Sequence, residues 1–181
     1  MYEFIYKQHK IVALSDTHGC HRNIIIPECD ILLHLGDACE AGDITQLIDF
    51  FEWMVEQPAR YKLFISGNHD LPFELYPELS NELIPASILY LQNNIIEIEG
   101  ITIAGIEATP YMLYDTEIDE PIDILISHGP PKGFPFKSSG CNKLLGLIQG
   151  AKPKFVLYGH FHSPDLRVVE SDGITFVNVS Q

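Results

Sequence analysis

Ile31-Leu-Leu-His-Leu-Gly-Asp37 is an apolar run of strand length that stops abruptly at a glycine and a carboxylate. Working outward, the same grammar recurs along the chain. Residues 11–15 run into Asp16-Thr17-His18, and residues 62–66 into Gly67-Asn68-His69-Asp70. Residues 122–127 run into His128-Gly129-Pro130-Pro131, and residues 154–158 into Gly159-His160-Phe161-His162. Several of these runs are apolar on nearly every residue, which suits strands covered on both faces. Each delivers Asp, Asn or His at its carboxyl end, the edge where ligand crevices form in layered α/β sheets.

Residues 43–57 predict a helix, with Asp43 as N-cap and Pro58 beyond its end. Leu47, Ile48, Phe50, Phe51, Met54 and Val55 recur there at helical spacing. Residues 140–151 predict a shorter helix. Residues 95–98 and 101–104 flank Glu99-Gly100 as a hairpin, and residues 166–170 and 174–179 flank Ser171-Asp172-Gly173 likewise. Crossover helices mixed with hairpins predict a layered α/β fold with two sheets. No repeat or linker interrupts the 181 residues, so one domain spanning 1–181 is expected.

The formal charge of -14 argues against a groove for duplex nucleic acid. A small phosphorylated partner remains compatible, because bound dications reverse the local potential. No apolar run reaches the roughly 18 residues of a membrane span, so no membrane partner is expected. Residues 1–10 include Glu3 and lack the apolar stretch of a signal peptide. Cys20, Cys29, Cys39 and Cys141 are scattered, which fits free thiols in a reducing cytoplasm.

Carboxylate, amide and imidazole donors together suit divalent Mn, Fe, Co, Ni or Zn. Asp16, His18, Asp37, Asn68, His128, His160 and His162 exceed the three or four protein ligands one such ion takes, so two ions sharing one Asp are expected. Asp16 and His18, two residues apart, would face one way in an extended segment, as would His160 and His162 with Phe161 turned opposite. Each motif alone is ordinary turn chemistry; their joint occurrence after strands is what points to metal. His9 and His21 are expected at the surface, and His34 as a hydrogen-bonded structural residue. Arg22 is expected at the surface rather than at the site.

D-x-H, then G-D, G-N-H-D, an H-G turn and G-H-x-H, in that order, resemble the calcineurin-like metallophosphoesterase superfamily across nearly the whole chain. Residues 31–37, 67–70 and 123–131, with Gly140-Cys141 and Gly173…Phe176-Val177-Asn178, resemble its small metallophosphodiesterases of animal brain and bacteria. The resemblance implies a central β-sandwich flanked by helices. It implies Asp16, His18, Asp37 and His162 around a first ion, and Asp37, Asn68, His128 and His160 around a second, with manganese the first choice. His69 would contact phosphate and protonate the leaving group, and Asp70 would orient His69. His160 stands where some animal members have glycine, and the segment 105–121 is shorter than in relatives.

The expected activity is metal-dependent hydrolysis of a small phosphodiester, cyclic nucleotides among them, by attack of water activated on the metal pair. A phosphomonoesterase acting on nucleotide or phosphoprotein is the alternative. A non-catalytic metal-binding scaffold is a third reading, disfavoured because every ligand and His69 are present. Oligomeric state is left open by the sequence.

Overall fold

The computed structural model describes residues 1–113, 116–162 and 168–181. One sheet runs β1 (Tyr2–Tyr6), β2 (His9–Leu14), β3 (Cys29–Leu35), β4 (Ala59–Ile65) and β5 (Ile88–Tyr90), in that order. The other contains β6 (Asn94–Ile98), β7 (Ile101–Ile106), β8 (Ile124–Ser127), β9 (Phe155–Tyr158), β10 (Val168–Ser171) and β11 (Ile174–Asn178), ordered β10-β11-β9-β8-β7-β6. The helices are α1 (Ile44–Glu56), α2 (Pro72–Leu75), α3 (Pro77–Glu82) and α4 (Asn142–Ala151).

The sheets face each other. Leu33 and Leu63 from one and Ile103, Ile126 and Leu157 from the other meet in a single buried cluster. On the outer face of the first sheet Val12, Leu32 and Phe64 pack with Leu47, Phe50 and Phe51 of α1. On the outer face of the second, Leu125 and Val156 pack with Leu144 and Ile148 of α4. This is the predicted sandwich flanked by helices. The doubly covered strands explain the unbroken apolar runs, because alternate residues enter different cores. Truncating an inter-sheet residue such as Leu33 to Ala should cost about 2–5 kcal/mol.

Asp43 caps α1 as expected, accepting from the Thr45 and Gln46 N–H groups, an arrangement worth about 1 kcal/mol. β2 to β5 are mutually parallel, as are β7, β8, β9 and β11. Carboxyl ends therefore collect along one edge of each sheet. A bridge between Ser15 and Ser180 joins those two edges.

Several elements lack a sequence signal. β1 pairs with β2 through a turn at Lys7 and Gln8, whose φ values of 45° and 70° are taken without glycine or asparagine. The short α2 and α3 each open on proline. In the C-terminal hairpin, β10 begins at Val168; predicted strand residues 166 and 167 lie outside the described residues.

Candidate metal centre

Hydrogen bonds zip the loops at the carboxyl edge together. Asp16 N–H donates to the Gly36 carbonyl at 2.9 Å, and His18 N–H to that of Asp37 at 3.0 Å. Gly159 N–H donates to the His128 carbonyl at 2.9 Å, and His160 N–H reaches both Asp16 oxygens at 3.1 and 3.0 Å. The structure thus brings all seven residues of the expected ligand set to one edge, although not by the expected route. Asp16, His18 and His160 have φ of 59°, 43° and 69°. They sit in left-handed turns, not in extended backbone, and the turns aim the side chains inward.

Glycine is required where the loops meet most closely. A Cβ on Gly67 would strike Asp37 Oδ1 and the Asp37 nitrogen, and one on Gly159 would strike the Ser15 hydroxyl and Asp16.

Three overlapping donor groups adjoin, one of them His18, Asp37 and His69. Asp16, His18 and His162 present ligand atoms within 4.8 Å of one another, as do Asp37, His128 and His160. Asp37 Oδ2 lies 3.9 Å from His18 Nε2 and 3.3 Å from His128 Nε2, so it stands between the groups. Asn68 Oδ1 is 2.9 Å from His128 Nε2, and His18 Nε2 is 3.2 Å from His162 Nε2. His162 Nε2 is 3.4 Å from Asp16 Oδ1.

This donor set fits divalent ions. His128 is fully buried, and its Nδ1 faces the Leu35 carbonyl at 2.8 Å. Donation there fixes the tautomer and leaves the Nε2 lone pair directed at Asp37 and Asn68. Burial opposes a charge on His128, yet contact with Asp37 raises its pKa. Burial likewise works against the Asp37 carboxylate, but the His128 contacts and the His69 N–H hold it below the usual range. Asp37 is held as the anion and the His128 Nε2 lone pair draws a proton, and a bound cation would answer both, pairing with the carboxylate and taking the lone pair in the proton's place.

His69 sits beside the pair. Its N–H donates to Asp37 Oδ1 at 2.7 Å, and its ring meets that of His18 edge-on at 4.7 Å. The expectation that Asp70 orients this ring is corrected by the structure. Asp70 is buried, and its oxygens accept from the N–H groups of Ala38, Cys39 and Gly67 at 2.9, 3.1 and 2.8 Å. It pins the loop after β3 to the turn after β4. Burial raises its pKa to about 6 against those donors. The carboxylate beside His69 is Glu40, 3.4 Å from His69 Nδ1 and 3.4 Å from His18 Nδ1. Sequence reasoning missed Glu40, although its position three residues after Asp37, in the same loop, was a usable signal.

His21 is a second correction. It is fully buried, with Nε2 at 2.8 Å from Asp49 and its ring between Phe50 and Trp53. The 3-10 turn His21–Asn23 directs it under α1, where the aromatic side chains enclose it. His9 is half-buried near Asp30. His34 is buried and meets Thr17 Oγ1 at 3.2 Å, as a structural residue. Arg22 is engaged by Asp49 and Glu56 at the surface.

Histidine and aspartate donors gathered on the carboxyl edge of a two-sheet sandwich are compatible with metal-dependent phosphoester hydrolysis. The sequence pattern of the calcineurin-like phosphoesterase family matches residues 9–164, and the chain belongs to that family. A UPF0046 protein of Caenorhabditis elegans is 30% identical over 203 residues, covering 95% of this chain and 69% of the relative. Human Metallophosphoesterase domain-containing protein 1 is 30% identical over 214 residues, covering 94% of this chain and 65% of the relative. The chain therefore spans about two thirds of the length of these relatives. In fold it is similar to the phosphopantetheinyl hydrolase PptH of Mycobacterium tuberculosis, with TM-score 0.65 and 16% identity over 94% of this chain and 88% of that one. It is also similar to TT1561 of Thermus thermophilus, with TM-score 0.61 and 15% identity over 93% and 87%. The family uses divalent metals, and no helix among the described residues is long and apolar enough to cross a membrane.

Proposed function

We propose that the protein is a two-metal phosphodiesterase acting on a small phosphate ester. The observation that carries this reading is Asp37, standing between two groups of histidine and carboxylate donors. Asp16, His18, Asp37 and His162 would hold the first ion, and Asp37, Asn68, His128 and His160 the second. Manganese is the first candidate, with Fe, Zn, Co and Ni open to the same donors. When bound, the ions supply Lewis acidity that eases deprotonation of water and offsets charge on the phosphoryl oxygens.

The chain's own residues do the rest. In hydrolysis a water oxygen forms the new P–O bond, and the ester P–O bond breaks with its electron pair on the leaving oxygen. His69 gives that oxygen its proton, and the water's surplus proton passes to solvent. General-acid catalysis of this kind contributes roughly 10²–10⁴-fold. Among the described residues the polar contacts of the His69 ring fall on Nδ1, which accepts from the Ala41 N–H at 3.4 Å and lies 3.4 Å from a Glu40 oxygen. Nε2 is therefore the atom left to face substrate. Glu40 holds the ring, and Asp70 holds the turn that carries it.

A diester is favoured over a monoester by the placement of arginine. Among the described residues the arginines are Arg22, paired with Asp49 and Glu56, and Arg60, paired with Glu99, so neither is available to clamp a dianion; Arg167 lies outside the described residues. Four free cysteines, three of them buried, support a cytoplasmic setting. The core shared by both sheets supports residues 1–181 acting as one domain.

The test is turnover of bis-p-nitrophenyl phosphate and p-nitrophenyl phosphate by protein reconstituted with each candidate metal. A kcat/KM at least tenfold higher for the diester is expected. The opposite order makes the protein a monoesterase, and bound metal without turnover of either makes it a scaffold.

A further inference from the structure

Beside the Asn68 and His128 half of the centre lies a cavity of about 180 Å³. Ser66 and Asp70 line it from the same turn that carries Asn68 and His69. Glu107 and Thr109 line it from the segment leaving β7. That segment also braces His128: the Gly129 N–H donates to the Ala108 carbonyl at 2.6 Å, and a Cβ on Gly129 would strike the Pro110 and Ala108 carbonyls. Two of the cavity's walls are thus the segments that fix two donors of the centre. Phe73 and Glu74 of α2 and Gln92 complete the enclosure.

The lining has a definite chemistry. Asp70, Glu74 and Glu107 are carboxylates, and no Lys, Arg or His occurs among the described lining residues. Asp70 is saturated by backbone N–H groups, and among the described residues the Glu107 carboxylate accepts only from Asn93 Nδ2, at 2.9 Å. Glu74 is exposed at the mouth. Ser66 and Tyr90 hydroxyls both donate to Gln92 Oε1, which fixes that amide and leaves its NH2 without a protein acceptor among the described residues. Carboxylates lining a partly enclosed space attract a cation more strongly than in open water, and Phe73 lines the same space. The same carboxylates repel a second anionic group.

We propose that this cavity seats one alcohol of the phosphodiester substrate, and that this alcohol is a small amino alcohol bearing an ammonium group. The inference rests on the phosphodiesterase reading above and adds the substrate class to it. Glu74 and Glu107 select the positive charge, and the turn of residues 66–70 hands the adjoining phosphate to the centre.

The experiment compares the p-nitrophenyl phosphodiesters of choline and of 3,3-dimethylbutanol, which match in shape and differ in charge. Wild-type kcat/KM should be at least tenfold higher for the choline ester at low salt. In Glu74→Gln/Glu107→Gln the ratio should fall toward one, as it should with added salt. Independently of turnover, choline titrated into labelled wild-type protein should shift the Gln92 side-chain amide resonances saturably, and should not do so in the double variant. A wild-type ratio near one, a preference that persists in the double variant, or unmoved Gln92 resonances would overturn the inference. If bis-p-nitrophenyl phosphate is turned over while the ratio is one, the subsite is wrong and the phosphodiesterase reading stands. If no diester is turned over with any metal, that reading fails and this inference fails with it.

Discussion

Glu40 places its two carboxylate oxygens 3.4 Å from His69 Nδ1 and 3.4 Å from His18 Nδ1, linking the proposed proton donor to a proposed ligand of the first ion. A carboxylate behind a functional imidazole holds the ring in its working orientation. Glu40→Gln keeps the shape and removes the charge. It should lower kcat by about 10–100-fold while the number of bound ions stays unchanged. Added to His69→Ala it should cost little more, because the two act as one unit. Metal analysis with steady-state kinetics of the single and double variants checks both statements.

Ser180, at the end of the chain, donates to Asp16 Oδ2 at 2.9 Å, and the Ser15 hydroxyl donates to the same oxygen. The pair fixes which Asp16 oxygen remains for the cluster. Ser180→Ala should cost about 1 kcal/mol of stability. It should weaken binding of the ion held by Asp16 and its partners by roughly tenfold, read as earlier loss of metal to a competing chelator.

The fold was legible in the sequence wherever strands are covered on both faces. The run 31–35 could only be satisfied by burial on two sides, and β3 has cores on both. β1 was illegible because its residues alternate between half-buried and exposed, and its turn uses left-handed Lys7 and Gln8. That the seven candidate ligands share one edge could be read because each follows a strand end. Their geometry could not, since Asp16, His18 and His160 take left-handed conformations that Asp and His adopt more readily than most residues but that no local sequence signal announces. Asp70 misled for a similar reason. Adjacent in sequence to His69, it turns away because three backbone N–H groups would otherwise be buried without an acceptor.

His34 gives the protein a built-in acid sensitivity of stability. Burial lowers its pKa to about 3, whereas the unfolded chain protonates it near 6.5. As pH falls from about 6.5 toward 3, the unfolded state gains a proton that the folded state refuses, so stability is lost across that window. Between pH 7 and pH 5 this one group should contribute a loss of about 2 kcal/mol. Denaturant unfolding of wild type and His34→Leu at both pH values isolates it. The variant should show the smaller pH-dependent loss, whatever its stability at pH 7.

The measurement that bears most directly on the two-metal centre is the number of ions per chain, taken together with diester turnover. Plasma mass spectrometry on reconstituted, dialysed protein should give two ions per chain for wild type. Asp37→Ala should lose ions and turnover together, because Asp37 lies between both donor groups. Wild-type protein that turns over diesters with a single ion, or Asp37→Ala that keeps two ions and full turnover, would contradict the account.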